Sequence, residues 1–317
     1  MKLNQLYSVV MHPKAPYAFD YSVENPTHYP APIGDWEPGK MWFTLRWQGQ
    51  KIGVRFENKG TVDKPAVEVS IYGKKPVEFK ELLSEIAYRY EWNNSDAEFY
   101  NKFGNDSILK PLIEKYRGMH GFCGEELYDF IMITIFLQNT TAKRTAQMTR
   151  VMLEKYGTLL EFDGKKLYCF WSPEELVDVP EQDLRDLKVG YRAKSFLRVS
   201  KDFVDGHIDE VELRKLNTDD LRTDLLKIYG IGPASVMYAL GGPFKRAVID
   251  VIPPWEAKIY SKLLFNRDGA SAEESMKELD RRYGKYKPSA IHFLFMDLAW
   301  KHRAERMKDM EKLLPFN

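Results

Sequence analysis

The chain contains 317 residues, of which 44% are hydrophobic, and its formal net charge at pH 7 is +1. This length allows two domains with sizeable cores. Because the net charge is close to zero, the composition excludes a global basic field for nucleic acid, so any nucleic-acid surface must be local.

The cysteine and histidine content narrows the chemistry further. The two cysteines, Cys123 and Cys169, predict a reducing compartment and exclude a disulfide framework. The six histidines show no ligand spacing, so we expect no transition-metal site. The sequence shows no signal peptide and no apolar run of membrane-spanning length. We therefore expect a soluble intracellular protein without membrane contact, in the cytoplasm or nucleoid, or in the nucleus of a eukaryote.

The first part of the chain, residues 1–75, is rich in aromatic residues, proline and glycine. Alternating patterns at 41–47 and 51–56, joined by a short turn, predict a β-hairpin, and 66–72 predicts a third strand. A helix is predicted at 79–90. These elements indicate a small antiparallel β-rich domain.

Helical periodicity dominates from about residue 93 onward, with short polar breaks and no internal repeat. The predicted fold class is α+β, mainly α. We expect an N-terminal antiparallel β-rich domain over 1–92 and a helical domain over 93–317.

A helical turn at 226–229 leads into Gly230-Ile231-Gly232, and a second helical pattern begins at Pro233. Proline suits the first helical turn because its missing N–H would have no intrahelical partner there. Two glycines allow a tight turn with bare backbone on its outer face. The free N–H groups and the positive end of the helix dipole would then bind a phosphate, although an ordinary helix–turn–helix connection is the alternative.

This hairpin and the Pro-containing acidic loop 246–256 resemble those of the helix-hairpin-helix (HhH-GPD) DNA glycosylases. Residues 183–195 look like the L-x-x-L-x-x-G-Y-R-A-K/R segment of the 8-oxoguanine glycosylases, and 126–144 is similar to their apolar helix and Asn-rich turn. The matches follow the family's order over roughly 93–300. The resemblance, to the oxoguanine and alkylpurine branch, implies an antiparallel sheet followed by a helical HhH-GPD glycosylase domain.

The resemblance implies a base-excision-repair N-glycosylase that flips and excises a damaged purine, alkylated or oxidised, from double-stranded DNA. We expect a monomer. A glycosylase for deaminated or mismatched bases and a non-catalytic hairpin DNA-binding protein are the alternatives, and the loop carboxylates and the insertion turn favour an enzyme. The 8-oxoguanine glycosylases make specific polar contacts to the base from the helix that closes the pocket. This chain has Ala290 and Leu294 at the corresponding positions, which argues against 8-oxoguanine specificity.

Two loop carboxylates are candidates for the family's catalytic acid. Asp250 follows Ala247-Val-Ile, as in the family's V-P-V-D, whereas Glu256 in Pro-Pro-Trp-Glu better matches the register of the following helix. Both also have structural interpretations: Asp250 as a cap for loop amides and Glu256 as a first-turn acid that favours the helix dipole. We favour Glu256, which would replace the family's near-universal Asp.

Bifunctional relatives carry a Schiff-base lysine where this chain has Ala234, so the resemblance implies a monofunctional enzyme without lyase activity. No cofactor is expected to be required, and two cysteines exclude the four-Cys iron–sulfur cluster of some relatives. The family's hairpin holds a monovalent cation, K⁺ or Na⁺, through main-chain carbonyls. By position these are Leu226, Ile228 and Gly230.

The resemblance also assigns residues to DNA contact. Gln138 and Asn139 are expected to insert into the duplex, although an Asn at a helix C-terminus also tolerates left-handed geometry. Tyr238 and Trp255 are expected to line the base pocket, with core packing as the rival for Tyr238, and Asp297 is expected to be structural. The predicted DNA-binding residues are Lys227, Gly230, Ile231, Gly232, Ser235, Gln138, Asn139, Arg144, Arg192 and Lys194.

Overall fold

The structure is a computed structural model that describes residues 1–24, 31–121 and 123–305. The N-terminal part forms a five-stranded antiparallel sheet with the strand order β1-β5-β4-β3-β2. Its elements are β1 (Asn4–Met11), α1 (Phe19–Val23), β2 (Gly34–Glu37), β3 (Lys40–Trp47), β4 (Gln50–Asn58), β5 (Val67–Gly73) and α2 (Phe79–Arg89).

The predicted β-hairpin, third strand and helix are confirmed as β3, β4, β5 and α2. Gln48 and Gly49 both have positive φ, 49° and 70°, which suits a two-residue turn between twisted strands. Strands β1 and β2 were not predicted. Both are edge strands, and β1 is buried little on either face, so its sequence lacks a clear alternation.

The rest of the described chain is mostly helical. Its helices are α3 (Ala97–Phe103), α4 (Leu109–Lys115), α5 (Leu127–Leu137), α6 (Ala142–Tyr156), α7 (Pro173–Leu176), α8 (Glu181–Asp186), α9 (Arg192–Val204), α10 (Glu210–Lys215), α11 (Thr218–Leu225), α12 (Pro233–Gly241), α13 (Pro254–Phe265), α14 (Ala272–Tyr283) and α15 (Lys287–Glu305). One core surrounds the apolar helix α5, and a second packs α13, α14 and α15 against α3 and α4.

The mainly helical part after residue 93 contains one strand hairpin that the sequence analysis did not predict. Strands β6 (Thr158–Phe162) and β7 (Lys165–Cys169) form an antiparallel hairpin. The Asp163 carboxylate at its turn accepts a hydrogen bond from Trp42 Nε1 at 2.7 Å. The hairpin therefore packs on the N-terminal sheet, across the predicted domain boundary.

A largely buried arginine also joins the two parts. Arg46 of β3 donates from Nη2 to Asp129 Oδ1 and from Nη1 to the Trp171 carbonyl, both at 2.7 Å. A third acceptor is Glu126 Oε2 at 3.2 Å. Because Asp129 and Glu126 lie at the start of α5, the sheet fixes the helix whose far end carries the predicted insertion turn. None of the helices in the described ranges has the length and apolar character needed to cross a membrane.

Candidate active site

The hairpin predicted at Gly230-Ile231-Gly232 joins α11 to α12, and α12 begins at Pro233 as predicted. Gly230 has a φ of 80°, and a Cβ atom there would lie 3.0 Å from Ser195 Oγ. Glycine is thus required at 230 for conformation and for packing on α9. At Gly232 a Cβ atom would meet no other atom within 4 Å, so the start of α12 presents open backbone.

Basic and aromatic side chains flank this hairpin. The exposed ring of Tyr229 lies beneath Lys194 Nζ and Arg198 Cζ, which are 5.8 and 5.5 Å from its centroid. Lys227 is exposed and paired with Asp224 at 2.5 Å. The hairpin therefore has a local positive surface although the chain is nearly neutral.

The predicted insertion turn lies against the hairpin. Gln138 Nε2 donates to the Gly230 carbonyl at 2.6 Å, and Asn139 Nδ2 donates to Tyr191 Oη at 3.4 Å. Asn139 has a φ of 47°, the left-handed geometry that asparagine tolerates. The exposed side chains of Leu137 and Tyr191 complete this rim.

Two arginines predicted to bind DNA, Arg144 and Arg192, donate hydrogen bonds to backbone carbonyls. Arg192 is buried, donates from Nε to the Ile135 carbonyl at 3.0 Å, and also bonds the Gln138 carbonyl. It satisfies the last carbonyls of α5, so the expectation that it binds DNA is corrected by its burial. Arg144 is half-buried and donates to the Lys188 carbonyl at 2.5 Å.

The carbonyls predicted to hold a monovalent cation are partly engaged. The Ile228 carbonyl accepts from Ile231 N at 3.1 Å, and the Gly230 carbonyl accepts from Gln138. Each carbonyl oxygen keeps a second lone pair, so the donor set still fits a hard monovalent ion. Leu226, which precedes them, is exposed, and Ser235 is half-buried in the first turn of α12.

Glu256 lies in the first turn of α13 and is 8% exposed. Its Oε1 accepts from Tyr238 Oη at 2.9 Å and its Oε2 accepts from Tyr260 Oη at 3.0 Å. Burial raises the pKa of Glu256, whereas the two tyrosine hydrogen bonds favour the carboxylate and oppose that rise. Sequence reasoning missed Tyr260, although its i+4 spacing from Glu256 could have found it.

Asp250, the other candidate, is exposed and pairs with Arg222 at 2.5 Å. The two carboxylates therefore occupy different environments. Asp297, expected to be structural, is buried and accepts from Tyr116 Oη at 3.0 Å. Its other partners are two lysines, so it ties α15 to α4.

A pocket of about 300 Å³ opens beside Tyr238, which is 42% exposed. Aromatic and apolar side chains form part of its wall, together with four polar side chains. The lining includes Tyr21, Met237, Tyr238, Phe295, Met296, Glu91, His120, Lys245 and His292. The side chain of Trp255, predicted to line the pocket, lies outside the described part of the structure.

Comparisons with known proteins bear on this arrangement. No family model matches the chain. It is 25% identical over 170 residues to the DNA-3-methyladenine glycosylase of Bacillus subtilis, a match that covers 52% of this chain and 56% of that protein. A second B. subtilis protein is named as a putative DNA-3-methyladenine glycosylase. It is 24% identical over 289 residues, and the match covers 89% of this chain and 96% of that protein.

Solved structures share the architecture over nearly the whole chain. The 3-methyladenine DNA-glycosylase from Archaeoglobus fulgidus superposes with a TM-score of 0.75 at 17% identity, covering 91% of this chain and 97% of its own. The chain has the fold of the DNA glycosylases. The Clostridium acetobutylicum 8-oxoguanine glycosylase/lyase superposes with a TM-score of 0.66 at 18% identity, covering 93% and 98%.

In this glycosylase fold the predicted site residues fall into two groups. The hairpin, the 138–139 turn and Lys194 share one surface, and Tyr238 connects the pocket to Glu256. Asp250 and Arg192 are engaged elsewhere.

Proposed function

We propose that the protein is a DNA N-glycosylase that excises a damaged purine from double-stranded DNA. The observation that carries the proposal is a buried carboxylate, Glu256, held by two tyrosines beside a pocket near an open hairpin. The names of the relatives, DNA-3-methyladenine glycosylases and an 8-oxoguanine glycosylase/lyase, support a damaged purine as the substrate.

Glu256 would act on the sugar of the extruded nucleotide. When the bond between C1′ and the base nitrogen breaks, the electron pair leaves with the base and the sugar becomes an oxocarbenium ion. A carboxylate in a water-poor site stabilises that charge without reorganisation. Water then adds to C1′ and its proton passes to Glu256, whose pKa is raised by burial and so suits a general base.

The hairpin would bind the DNA backbone. The open amides at the start of α12 and the positive dipole end suit a phosphate, and Lys194 and Arg198 add charge beside them. The 138–139 turn, with exposed Leu137 at its edge, would fill the space that the extruded base leaves. A monovalent cation on the carbonyls of Leu226, Ile228 and Gly230 belongs to this proposal. It predicts weaker duplex binding when tetramethylammonium replaces K⁺ and Na⁺.

The activity would be monofunctional, because Ala234 stands where a Schiff-base lysine would be needed. We expect an abasic product that breaks only after alkali or heat. Borohydride treatment during the reaction should trap no covalent protein–DNA adduct. High-yield trapping would contradict this, and loss of the trapped product in Lys245→Met would identify the pocket lysine as the nucleophile.

The test is a panel of duplexes that each carry one modified base, incubated in single turnover and resolved with and without alkali. We expect excision of alkylated or oxidised purines. Excision of only uracil, hypoxanthine or mismatched bases would replace the proposal with a glycosylase for deaminated or mismatched bases. Duplex binding without any excision would leave a non-catalytic DNA-binding protein.

A further inference from the structure

The polar wall of the pocket consists of Glu91, His120, Lys245 and His292. These side chains come from four separate places: the end of α2, the segment before α5, the segment after α12, and α15. Sugar chemistry at Glu256 uses none of them. They line the same pocket as Tyr238, whose hydroxyl bonds Glu256.

The hydrogen-bonding state of His120 follows from its contacts. Its Nδ1 lies 3.3 Å from the backbone carbonyl of Glu91, and a carbonyl can only accept. The proton of a neutral ring therefore sits on Nδ1, which leaves Nε2 as an acceptor. His120 is 3% exposed, and its Nε2 has no hydrogen-bond partner among the described residues.

Glu91 supplies further acceptors. Burial raises the pKa of its carboxyl, and the positive charge of Lys245 opposes that rise. Its backbone φ is 53°, a left-handed conformation that a non-glycine residue adopts at a cost. The surrounding fold therefore keeps the Glu91 backbone in a conformation that it would not favour by itself, with its side chain at the pocket.

Lys245 supplies a donor. Its φ is 56°, so its backbone is also left-handed. Burial lowers the pKa of its ammonium group, and the nearby thiol and carboxylates of Cys123, Glu91 and Glu125 oppose that effect. Within residues 1–24, 31–121 and 123–305, no hydrogen bond or ion pair occupies its Nζ.

We infer that this wall reads the Watson–Crick edge of a guanine-type base, an inference that rests on the proposed function. That edge presents one acceptor, O6, and two donors, N1–H and N2–H₂. Lys245 offers the donor for O6, and Glu91 with His120 Nε2 offers acceptors for the two donors.

An adenine-type base has the opposite pattern at two of these positions. Its N6–H₂ group donates where Lys245 also donates, and its N1 lone pair would face the Glu91 carboxylate. Both 8-oxoguanine and 7-methylguanine keep O6 and the 2-amino group. The wall therefore selects the guanine ring and leaves the kind of damage to other parts of the site.

The experiment compares single-turnover excision from duplexes that carry 8-oxoguanine, 7-methylguanine and 3-methyladenine. A matched pair, 8-oxoguanine and 8-oxohypoxanthine, differs only in the 2-amino group. We expect the unmodified protein to excise guanine lesions faster than 3-methyladenine, and to lose about 10-fold or more when the 2-amino group is absent.

Glu91→Gln should slow excision of both 8-oxoguanine and 8-oxohypoxanthine by about 10-fold or more, because the amide replaces one acceptor oxygen opposite N1–H with a donor. Lys245→Met should slow both guanine lesions. The control is Glu81→Gln, which changes an exposed side chain of α2, the helix that precedes Glu91. It should change the excision rate of neither guanine lesion. Thermal melting and duplex binding identify a variant that fails to fold. The comparison of 8-oxoguanine with 8-oxohypoxanthine uses the unmodified protein, so it does not depend on the folding of any variant.

The inference is overturned if 3-methyladenine is excised at least as fast as both guanine lesions. It is also overturned if removal of the 2-amino group leaves the rate unchanged. In either case the proposed glycosylase function stands. If the unmodified protein excises no damaged purine, the inference and the proposed function fall together.

Discussion

At the scale of single residues, the two loop carboxylates differ because of what surrounds them. Glu256 is buried and both of its oxygens accept tyrosine hydroxyls, whereas Asp250 is exposed and paired with Arg222. A buried carboxylate with two donors is held in one orientation and carries its charge into a site where water screens little. The surface pair contributes little to chemistry or stability.

Tyr260 tunes that charge without lining the pocket. Its hydrogen bond favours ionised Glu256, so Tyr260→Phe should raise the pKa of Glu256. Because activity needs the carboxylate, the acid limb of the kcat/KM profile should move to higher pH, with little change in rate on the alkaline side. Tyr283→Phe, a change at a buried tyrosine of α14 that does not bond Glu256, is the control. An unmoved acid limb in Tyr260→Phe would contradict the role of Glu256.

The register of the helix after Pro-Pro-Trp-Glu carried enough information to favour Glu256 over Asp250. The polar wall could not be predicted in the same way. Glu91, His120, Lys245 and His292 are far apart in sequence, and no local spacing reveals that packing gathers them at one pocket. Arg192 was predicted wrongly for a related reason. A basic residue at helical spacing resembles a surface charge in the sequence, and only the folded structure shows that Arg192 is buried.

At the scale of elements, the hairpin presents backbone where DNA would approach. A side chain at Gly232 meets no protein atom, and its φ of −113° suits any residue, so substitution should preserve the fold. Gly232→Glu should weaken duplex binding at least 10-fold, because it places a negative charge at the phosphate position. Gly232→Ala, which adds only a methyl group, should have a much smaller effect. Equal binding by Gly232→Glu and the unmodified protein across a salt titration would remove the hairpin from the DNA interface.

Elements with strong local signals were predicted well. Proline at the first helical position and the paired glycines predicted the hairpin before α12, and the alternation of apolar and polar residues predicted β3 and β4. The hairpin of β6 and β7 was missed because each strand has five residues and only part of its alternation is buried. Its stability comes from packing on the N-terminal sheet, which a local pattern does not contain.

At the scale of the whole molecule, Arg46 links the sheet to the helices. Arg46→Met would leave Asp129 buried without its partner and should lower the free energy of unfolding by about 3–5 kcal/mol. Urea unfolding at pH 7 measures this. Arg150→Met, which removes an arginine from an exposed pair with Glu154, should leave the midpoint unchanged. Equal midpoints for the two variants would show that Arg46 does not hold the two parts together.

In the proposed mechanism, Glu256 supplies the charge that drives base excision. The most direct measurement is the single-turnover rate of Glu256→Gln beside Asp250→Asn on the best substrate of the lesion panel. The amide keeps the size of the side chain and removes the charge, so Glu256→Gln should lose about 100-fold or more while duplex binding is kept. Asp250→Asn should keep the parent rate. A Glu256→Gln variant that excises at the parent rate would contradict the account, and loss confined to Asp250→Asn would transfer the catalytic role to Asp250.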